Sequence, residues 1–338
     1  MPAEPCATRP RIAVIGTGGT FAMHGRDRFD WAEYSESGIV HPITALLEQM
    51  GNLAMDVELL PVTFRALGST GITPQDWLDL ARLIQATVEA DPGITGVVVT
   101  HGTATLEETA WFLDLALDVH AAVVVTGAQR PANTAGSDVL ANLRAALAVA
   151  SSKQAKHAGT LVVIDNQVFA ARDVTKVSSF ELAAFQAPVY GPLASVDAEA
   201  RVHWARLPAR AGAPFPLKLA EIETLPKVDI SLSYAGADGS AIRGLVAAGC
   251  QALVVAGLPP GRPANGEVAA LQQAVNAGVL VVMATRAPRG SVPPQAFIAR
   301  EQWLAGGDLA PHKLRILLML VLSQTRDAHV VQQWISHA

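Results

Sequence analysis

The sequence predicts an α/β protein of two domains, in which a larger N-terminal domain is built on a parallel sheet and a smaller C-terminal domain is also α/β. A chain of 338 residues is too long to fold around a single small hydrophobic core. Short β-branched runs alternate with helix-length amphipathic segments along most of the chain. A proline-rich stretch interrupts this alternation once. We predict an N-terminal domain over 1–204, a linker over 205–227 and a C-terminal domain over 228–338.

The N-terminal domain contains several mostly apolar runs that indicate buried strands. Such runs, separated by helices, are typical of a parallel sheet covered on both faces. The predicted strands are 11–15, 57–64, 97–100, 122–126 and 160–164. The predicted helices between them are 42–50, 74–90, 106–118 and 139–150.

The helix that follows Thr105 has the clearest pattern. Its apolar residues recur at helical spacing and form one stripe: Leu106, Ala110, Leu113 and Leu117. Thr105 and Glu108 have the spacing of a capping box. The preceding residues, HGTAT, should therefore form a loop just beyond the C-terminal end of a strand.

The linker is predicted from its prolines at 208, 214, 216 and 226, which break the periodic pattern. After it the alternation resumes in a shorter domain. Strands are predicted at 228–233, 253–257 and 279–284, and helices at 240–248, 266–277 and 312–323.

Composition excludes several classes of partner. The net charge of −5 and the pI near 6.0 argue against nucleic acid, which usually requires a basic face. The longest apolar run near the C-terminus, 316–322, is too short for a membrane span, and the N-terminus lacks the apolar core of a secretory signal. We therefore expect a cytoplasmic protein. Because only 16% of the residues are charged, buried subunit interfaces are expected as well.

Neither a disulfide nor a metal site is predicted. The chain has two cysteines, Cys6 and Cys250, and a bond between them is not expected in a reducing compartment. Its nine histidines are scattered without zinc-ligand spacing.

Polar, glycine-rich sequence follows four of the predicted strands. In open α/β sheets, ligands bind beyond the carboxyl ends of the strands. The four segments are 16–20 (GTGGT), 69–70 (ST), 100–103 (THGT) and 126–130 (TGAQR). The first fails as a dinucleotide fingerprint because Phe21 replaces its third glycine, although a simple tight turn remains an alternative.

A threonine in such a loop can act as a nucleophile only if a base takes its proton. Candidate bases are Lys176, in ARDVTK, and Tyr34. A lysine is neutral near pH 7 only when burial or a nearby cation lowers its pKa. Most lysines are exposed, and sequence spacing alone does not bring Lys176 to a threonine.

Five segments taken together resemble the bacterial-type L-asparaginase family. They are IGTGGTFA, THGTATLEETAWFLDLAL, TGAQRP, ARDVTK and YGPL, in this order, and the resemblance extends from about residue 11 to 335. It implies the two-domain asparaginase-like fold and an enzyme that hydrolyses a small-molecule amide. It implies no cofactor, because acyl transfer through threonine needs none.

The resemblance also assigns catalytic roles. Thr20 matches the nucleophile, and Tyr34 falls on the lid segment near that hydroxyl. Thr103 matches a second active-site threonine, and Lys176 matches the lysine that pairs with it. Thr20 is expected to attack the amide carbonyl, release ammonia and form an acyl-enzyme that water then hydrolyses.

Substrate-binding positions are implied in the same way. Ser69 matches the serine that holds the substrate α-carboxylate, and Thr70 and Ala104 lie in the subsite for the α-ammonium. Ala128 is expected to present its carbonyl near the leaving amide. Gly19 is expected to lie beside the substrate, with backbone N–H groups at the strand ends stabilising the oxyanion.

Four positions in the ammonium subsite depart from the family. Ala104 replaces the aspartate of HGTDT, and Thr70 stands where a glutamine is frequent. Positions that the family supplies from a neighbouring subunit hold Gly236 and the stretch 291–300, which has no acidic residue. Losing the partner of a buried charged group costs about 2–5 kcal/mol, so asparagine should bind more weakly.

Three hypotheses follow. The chain is an amidase for an amide that lacks a free α-ammonium, or an asparaginase or glutaminase that has rebuilt its ammonium site from residues such as Glu33 or Glu36. Alternatively it is a non-catalytic binding protein on the same scaffold. The resemblance further implies a homodimer or homotetramer with active sites shared between subunits.

Overall fold

The computed structural model describes residues 9–51, 53, 55–208 and 217–338. The chain divides into two compact units, 1–213 and 214–338. The predicted linker lies partly outside the described residues, as does Cys6, and the predicted domain boundaries stay predictions. Cys250 is a free, buried thiol.

The N-terminal unit is built on one large sheet. Its strands are β1 Arg11–Gly18, β2 Glu58–Leu67, β3 Ile94–Thr100, β4 Ala122–Thr126, β5 Thr160–Ile164, β6 Gln167–Ala170, β9 Ala194–Val196 and β10 Val202–Trp204, and β7 Thr175–Lys176 and β8 Phe185–Gln186 form a separate ribbon. The order in the sheet is β10-β9-β6-β5-β4-β3-β1-β2. Strands β1 to β5 pair in parallel, whereas β6, β9 and β10 add an antiparallel extension.

Helices cover the parallel part of this sheet. They are α1 Ile43–Met50, α2 Pro74–Ala90, α3 Leu106–Ala116 and α4 Val139–Ala150. Ile12 and Val14 of β1 pack into one apolar cluster with residues of α1 and α4, and the alternate residues Ala13 and Ile15 are fully buried as well. Because successive strand side chains point to opposite faces, both faces of the sheet are covered.

The C-terminal unit is smaller and has its own parallel sheet. Its elements are β11 Val228–Leu232, α5 Ser240–Ala247, β12 Ala252–Gly257, α6 Val268–Asn276, β13 Leu280–Thr285, α7 Ala296–Arg300, β14 Leu304–Ala305, α8 Pro311–Leu322 and α9 Ala328–His337. The strand order is β11-β12-β13-β14. A separate apolar cluster, which includes Leu253, Leu271 and Met283, forms its core.

The predicted fold class is confirmed, and the strands and helices expected from apolar patterning lie within a few residues of their predicted bounds. The antiparallel strands and α9 were not predicted. One missed signal is the β5–β6 turn, where Asp165 and Asn166 both have positive φ, at 48° and 58°. Two such residues are typical of a type I′ hairpin.

The predicted capping box at α3 is wrong. The Thr105 side chain makes no hydrogen bond to the first turn of the helix. Its hydroxyl instead donates to the carbonyl oxygen of Ser69 at 2.7 Å. This bond ties the start of α3 to the loop after β2, so the hydroxyl stabilises the junction of two loops and not the helix end.

No helix within the described parts of the chain is long and apolar enough to cross a membrane.

Replacing Leu143 of α4 by alanine should lower the free energy of unfolding by about 2–5 kcal/mol. Its side chain is 0% exposed in the core against the sheet, whereas Leu140, on the same helix, is 49% exposed. Leu140→Ala is the matched control and should change stability by less than about 0.5 kcal/mol. Urea denaturation measures both, and equal losses would contradict the packing of α4.

Candidate active site

Four loops meet at the carboxyl edge of the N-terminal sheet. Gly19 follows β1 with a φ of 70°, and a Cβ on it would lie within 3.0 Å of the Gly102 backbone, beyond β3. A Cβ on Gly102 would in turn collide with the side chain of Ser69, beyond β2. A Cβ on Gly127, which follows β4, would likewise collide with the carbonyl oxygen of His101. Because only glycine leaves room for these approaches, the ends of β1, β2, β3 and β4 form one site.

Thr20 lies directly after Gly19 in this site. Its side chain is buried, and its hydroxyl oxygen is 2.6 Å from the phenol oxygen of Tyr34. Tyr34 begins a short 3-10 helix, Tyr34–Ser37, within the polar segment 25–37. Either oxygen can be the donor of this hydrogen bond, so Tyr34 can accept from the Thr20 hydroxyl or donate to it.

Thr103 and Lys176 also come together, although 73 residues separate them. The Lys176 Nζ donates to the Thr103 hydroxyl at 2.7 Å. The backbone N–H of Lys176 donates to the Glu107 carboxylate at 2.9 Å, which fixes the β7 strand against α3. Burial holds the pKa of Lys176 below its ordinary value, and the nearby negative charge of Glu107 only partly opposes this effect.

Gln129 joins the Thr103–Lys176 pair and was not identified from the sequence. Its amide oxygen accepts the Thr103 hydroxyl at 3.1 Å and the Lys176 Nζ at 3.1 Å. Its amide nitrogen donates to the carbonyl oxygen of Glu181 at 3.0 Å. The available signal was its place in TGAQRP, directly beyond a buried parallel strand, where polar side chains face the ligand site.

The segment 25–37 is attached to the loop after β4. The Asn133 side chain accepts from the backbone N–H of Gly25 at 2.8 Å and donates to its carbonyl at 2.7 Å. The guanidinium of Arg130 lies 4.2 Å from the centre of a Trp31 ring. These contacts hold the segment in the position where Tyr34 reaches Thr20.

The two acidic residues proposed for a rebuilt ammonium site lie on this segment. Glu33 forms an ion pair of 2.6 Å with Arg26, which also bonds to Asp30. Glu36 is exposed on the 3-10 helix. Glu33 is therefore already engaged by a cation of its own segment.

The substrate-binding candidates line the same loops. Ser69 and Thr70 begin the 3-10 helix Ser69–Gly71 after β2, with Ser69 half-buried and Thr70 exposed. Ala104 is exposed, and Ala128 is fully buried. The backbone N–H of Gly19 donates to the Leu67 carbonyl at 3.1 Å, so it is not a free donor for an oxyanion.

His101 anchors the loop behind Thr103. Its Nδ1 is 2.8 Å from the carbonyl oxygen of Gly102, and its Nε2 is 2.9 Å from the Thr109 hydroxyl. The Trp77 indole N–H donates to the same hydroxyl at 2.9 Å. Because a carbonyl only accepts, Nδ1 carries the proton, and the neutral Nε2 accepts from Thr109. Complete burial lowers the pKa of His101 to about 4.

No group of three or more metal-ligating side chains occurs among the residues for which the structure gives positions. The side chains that meet at these strand ends carry hydroxyls, one amine and an amide, which are groups able to take part in nucleophilic attack and proton transfer. Gly236 and the stretch 291–300 belong to the C-terminal unit.

Family models match both halves of the chain. The model described as "Asparaginase, N-terminal" matches residues 11–209, and the "Glutaminase/Asparaginase C-terminal domain" matches residues 227–335. A chain with this fold and these strand-end loops is thus a two-domain protein of the asparaginase class. It belongs to the asparaginase family, as the sequence motifs indicated.

Individual relatives agree over nearly the whole length. The chain is 34% identical to a "Probable L-asparaginase periplasmic" of Haemophilus influenzae, over 97% of this chain and 93% of that protein. It is 34% identical to "L-asparaginase 2" of Escherichia coli, over 96% and 92% of the two chains. The crystal structure of a "Probable Cytoplasmic L-asparaginase from Campylobacter jejuni" matches with a TM-score of 0.90 and 31% identity, over 98% of this chain and 100% of that chain.

His101 should make the stability of the protein depend on pH. The pKa is about 4 in the folded state, against 6.5 as the ordinary value. The contribution of neutral His101 to the free energy of unfolding is fully present above pH 6.5. As the pH falls toward 4, the unfolded chain takes up a proton that the folded state does not, and the unfolding free energy falls by about 3 kcal/mol.

The comparison of wild type with His101→Asn isolates this contribution. We expect the difference in unfolding free energy between the two proteins to shrink as the pH is lowered from 7 to 4.5, measured by urea denaturation. His157→Asn, at an exposed histidine, is the control for the substitution itself. Parallel curves for wild type and His101→Asn would show that His101 titrates normally.

Proposed function

We propose that this protein hydrolyses a small carboxylate-bearing amide, asparagine or a compound like it, and releases ammonia. The observation that carries the proposal is the hydrogen bonding of two threonine hydroxyls to ionisable side chains in one site, Thr20 to Tyr34 and Thr103 to Lys176. The names of the relatives support the same reaction class, because they include L-asparaginases and a glutaminase-asparaginase of Pseudomonas fluorescens.

Thr20 is proposed as the nucleophile. Its oxygen attacks the amide carbonyl carbon while the Thr20 hydroxyl proton passes to the Tyr34 oxygen and the Tyr34 phenol proton passes on to the leaving nitrogen, so that the carbon–nitrogen bond breaks. Ammonia leaves an ester on Thr20. Water attacks that ester, the acid product is released, and the Thr20 oxygen regains its proton.

Thr103 and Lys176 are proposed as the second proton-transfer pair. The lowered pKa of Lys176 increases the fraction of neutral amine, which can accept a proton from the Thr103 hydroxyl. Ser69 is proposed to bind the substrate carboxylate, and Ala128 to contact the leaving amide through its carbonyl.

A second candidate substrate is an amide without a free α-ammonium. Ala104 presents a methyl group to solvent beside Thr103, and the Glu33 carboxylate already pairs with Arg26. Neither contributes an unpaired negative charge for an ammonium. A purely binding role is the third possibility, but such a protein would have no use for the half-buried Thr103–Lys176 pair.

We further propose a cytoplasmic homodimer or homotetramer whose active sites are shared between subunits. The low charge content supports it, as do large apolar side chains on the surface of the N-terminal unit, among them Phe180, Val189 and Tyr190. The relatives' names include both a periplasmic and a cytoplasmic protein. Sedimentation of the purified protein and cell fractionation test these two statements.

The reaction is tested by measuring ammonia release from L-asparagine, L-glutamine, N-acylated asparagine and succinamic acid. Thr20→Ala should reduce the rate by about 10³-fold or more, because no other group replaces its hydroxyl. Thr87→Ala removes a threonine whose hydroxyl donates to the Leu83 carbonyl within α2, and it should retain full activity. Absence of ammonia release above the Thr20→Ala background on every amide would favour the binding role.

Ala104→Asp should improve the use of L-asparagine if a missing carboxylate limits its binding. We expect the KM for asparagine to fall about tenfold or more, since a charged partner for the ammonium is restored. Ala104→Asn, of similar size without the charge, is the control. Unchanged KM values for both variants would show that the ammonium is bound elsewhere.

A further inference from the structure

Gln129 occupies the centre of the Thr103–Lys176 pair. Its side chain is nine-tenths buried, and its oxygen accepts from the Thr103 hydroxyl and from the Lys176 Nζ, each at 3.1 Å. Both lone pairs of the amide oxygen are thereby used. One side chain thus bonds to both partners of the proposed proton transfer.

The orientation of this amide is fixed from both ends. The group at one end is the main-chain carbonyl of Glu181, which only accepts and therefore requires the amide nitrogen. The group at the other end is the Lys176 Nζ, whose ammonium form only donates and requires the amide oxygen. The backbone N–H of Gln129 is held separately by the carboxylate of Asp138, at 3.1 and 3.0 Å from its two oxygens.

The same amide oxygen serves both protonation states of Lys176. With the ammonium, Thr103 O–H and one Lys176 N–H both point to Gln129. With the neutral amine, a Lys176 N–H remains on Gln129, and the single lone pair of the amine is left facing the Thr103 hydroxyl 2.7 Å away. The hydroxyl proton then turns from Gln129 to the amine, which is the orientation that proton abstraction requires.

We propose that Gln129 is a positioning residue that aims the Lys176 lone pair at Thr103 and, being neutral, keeps the lysine able to lose its proton. This inference rests on the proposed amide hydrolysis for its catalytic consequence. An amide accepts the lysine hydrogens without the negative charge that would favour the ammonium.

The other groups facing Lys176 are few in the described structure. Glu107 of α3 is the one charged neighbour that raises its pKa, through a carboxylate bonded to the Lys176 backbone. The Phe185 ring centre lies 5.8 Å from Nζ. The groups that bond to Lys176 Nζ are uncharged, namely the Thr103 hydroxyl and the Gln129 amide. A negative charge placed at position 129 would therefore strongly change the electrostatic environment of the amine.

Two substitutions separate charge from positioning. Gln129→Glu keeps an oxygen at the contact but adds a negative charge, which should raise the pKa of Lys176 by about one to three units. The acid limb of the kcat/KM profile should move to higher pH by that amount, and activity should recover toward wild type above it. Gln129→Met fills the same space without an acceptor and should lower kcat about tenfold or more at every pH, with little change in KM.

Matched controls use an exposed glutamine of the C-terminal unit. Gln273→Glu and Gln273→Met make the same chemical changes on α6 and should leave the pH profile unchanged. Wild type and Thr20→Ala run in the same assay show whether the proposed reaction occurs. If the enzyme is active but the acid limb of its pH profile is the same in wild type and Gln129→Glu, the role of Gln129 is overturned. The proposed function would remain intact in that case.

A second measurement does not depend on activity. The rate at which acetic anhydride modifies Lys176 is followed against pH by mass spectrometry, with the exposed Lys218 in the same digest as reference. The midpoint for Lys176 should lie below the ordinary value for a lysine and should rise in Gln129→Glu. An unchanged midpoint in that variant would overturn the proposal, whether or not any amide is hydrolysed.

Discussion

The close contact of the Gly19 and Gly102 backbones is the constraint on which the site depends. No side chain fits between them, and Gly102 is pressed in the same way against Ser69. The loops after β1, β2 and β3 are therefore held by main-chain packing and not by the side chains that would do chemistry. Thr20 and Thr103, each the next residue after one of these glycines, are placed by the sheet itself.

This arrangement leaves polar groups in a largely dry environment, where each must have a partner. His101 is satisfied by Gly102 and Thr109, and Lys176 by Thr103 and Gln129. Burial lowers the pKa of both ionisable groups, His101 and Lys176, because it disfavours their charged forms. The neutral form of His101 holds a loop in place, and the neutral form of Lys176 is the one that we propose as a base.

Most of the fold could be predicted because strands buried on both faces leave unbroken apolar runs, as in β3 and β4. The antiparallel extension could not, since β9 and β10 have three residues each and their sequences resemble loops. In the site, Thr20 and Thr103 follow from their place at strand ends. Lys176 required the family resemblance, because no periodicity links residues 73 apart, and Gln129 was missed because a lone glutamine carries no spacing signal.

Asn133 has a consequence for the position of Tyr34. One side chain satisfies both main-chain groups of Gly25, so the first residue of the segment that carries Tyr34 is fixed to the loop after β4. The Trp31–Arg130 contact fixes the same segment a second time, closer to Tyr34. The hydrogen bond between Thr20 and Tyr34 therefore depends on residues of a third loop that touches neither of the two oxygens.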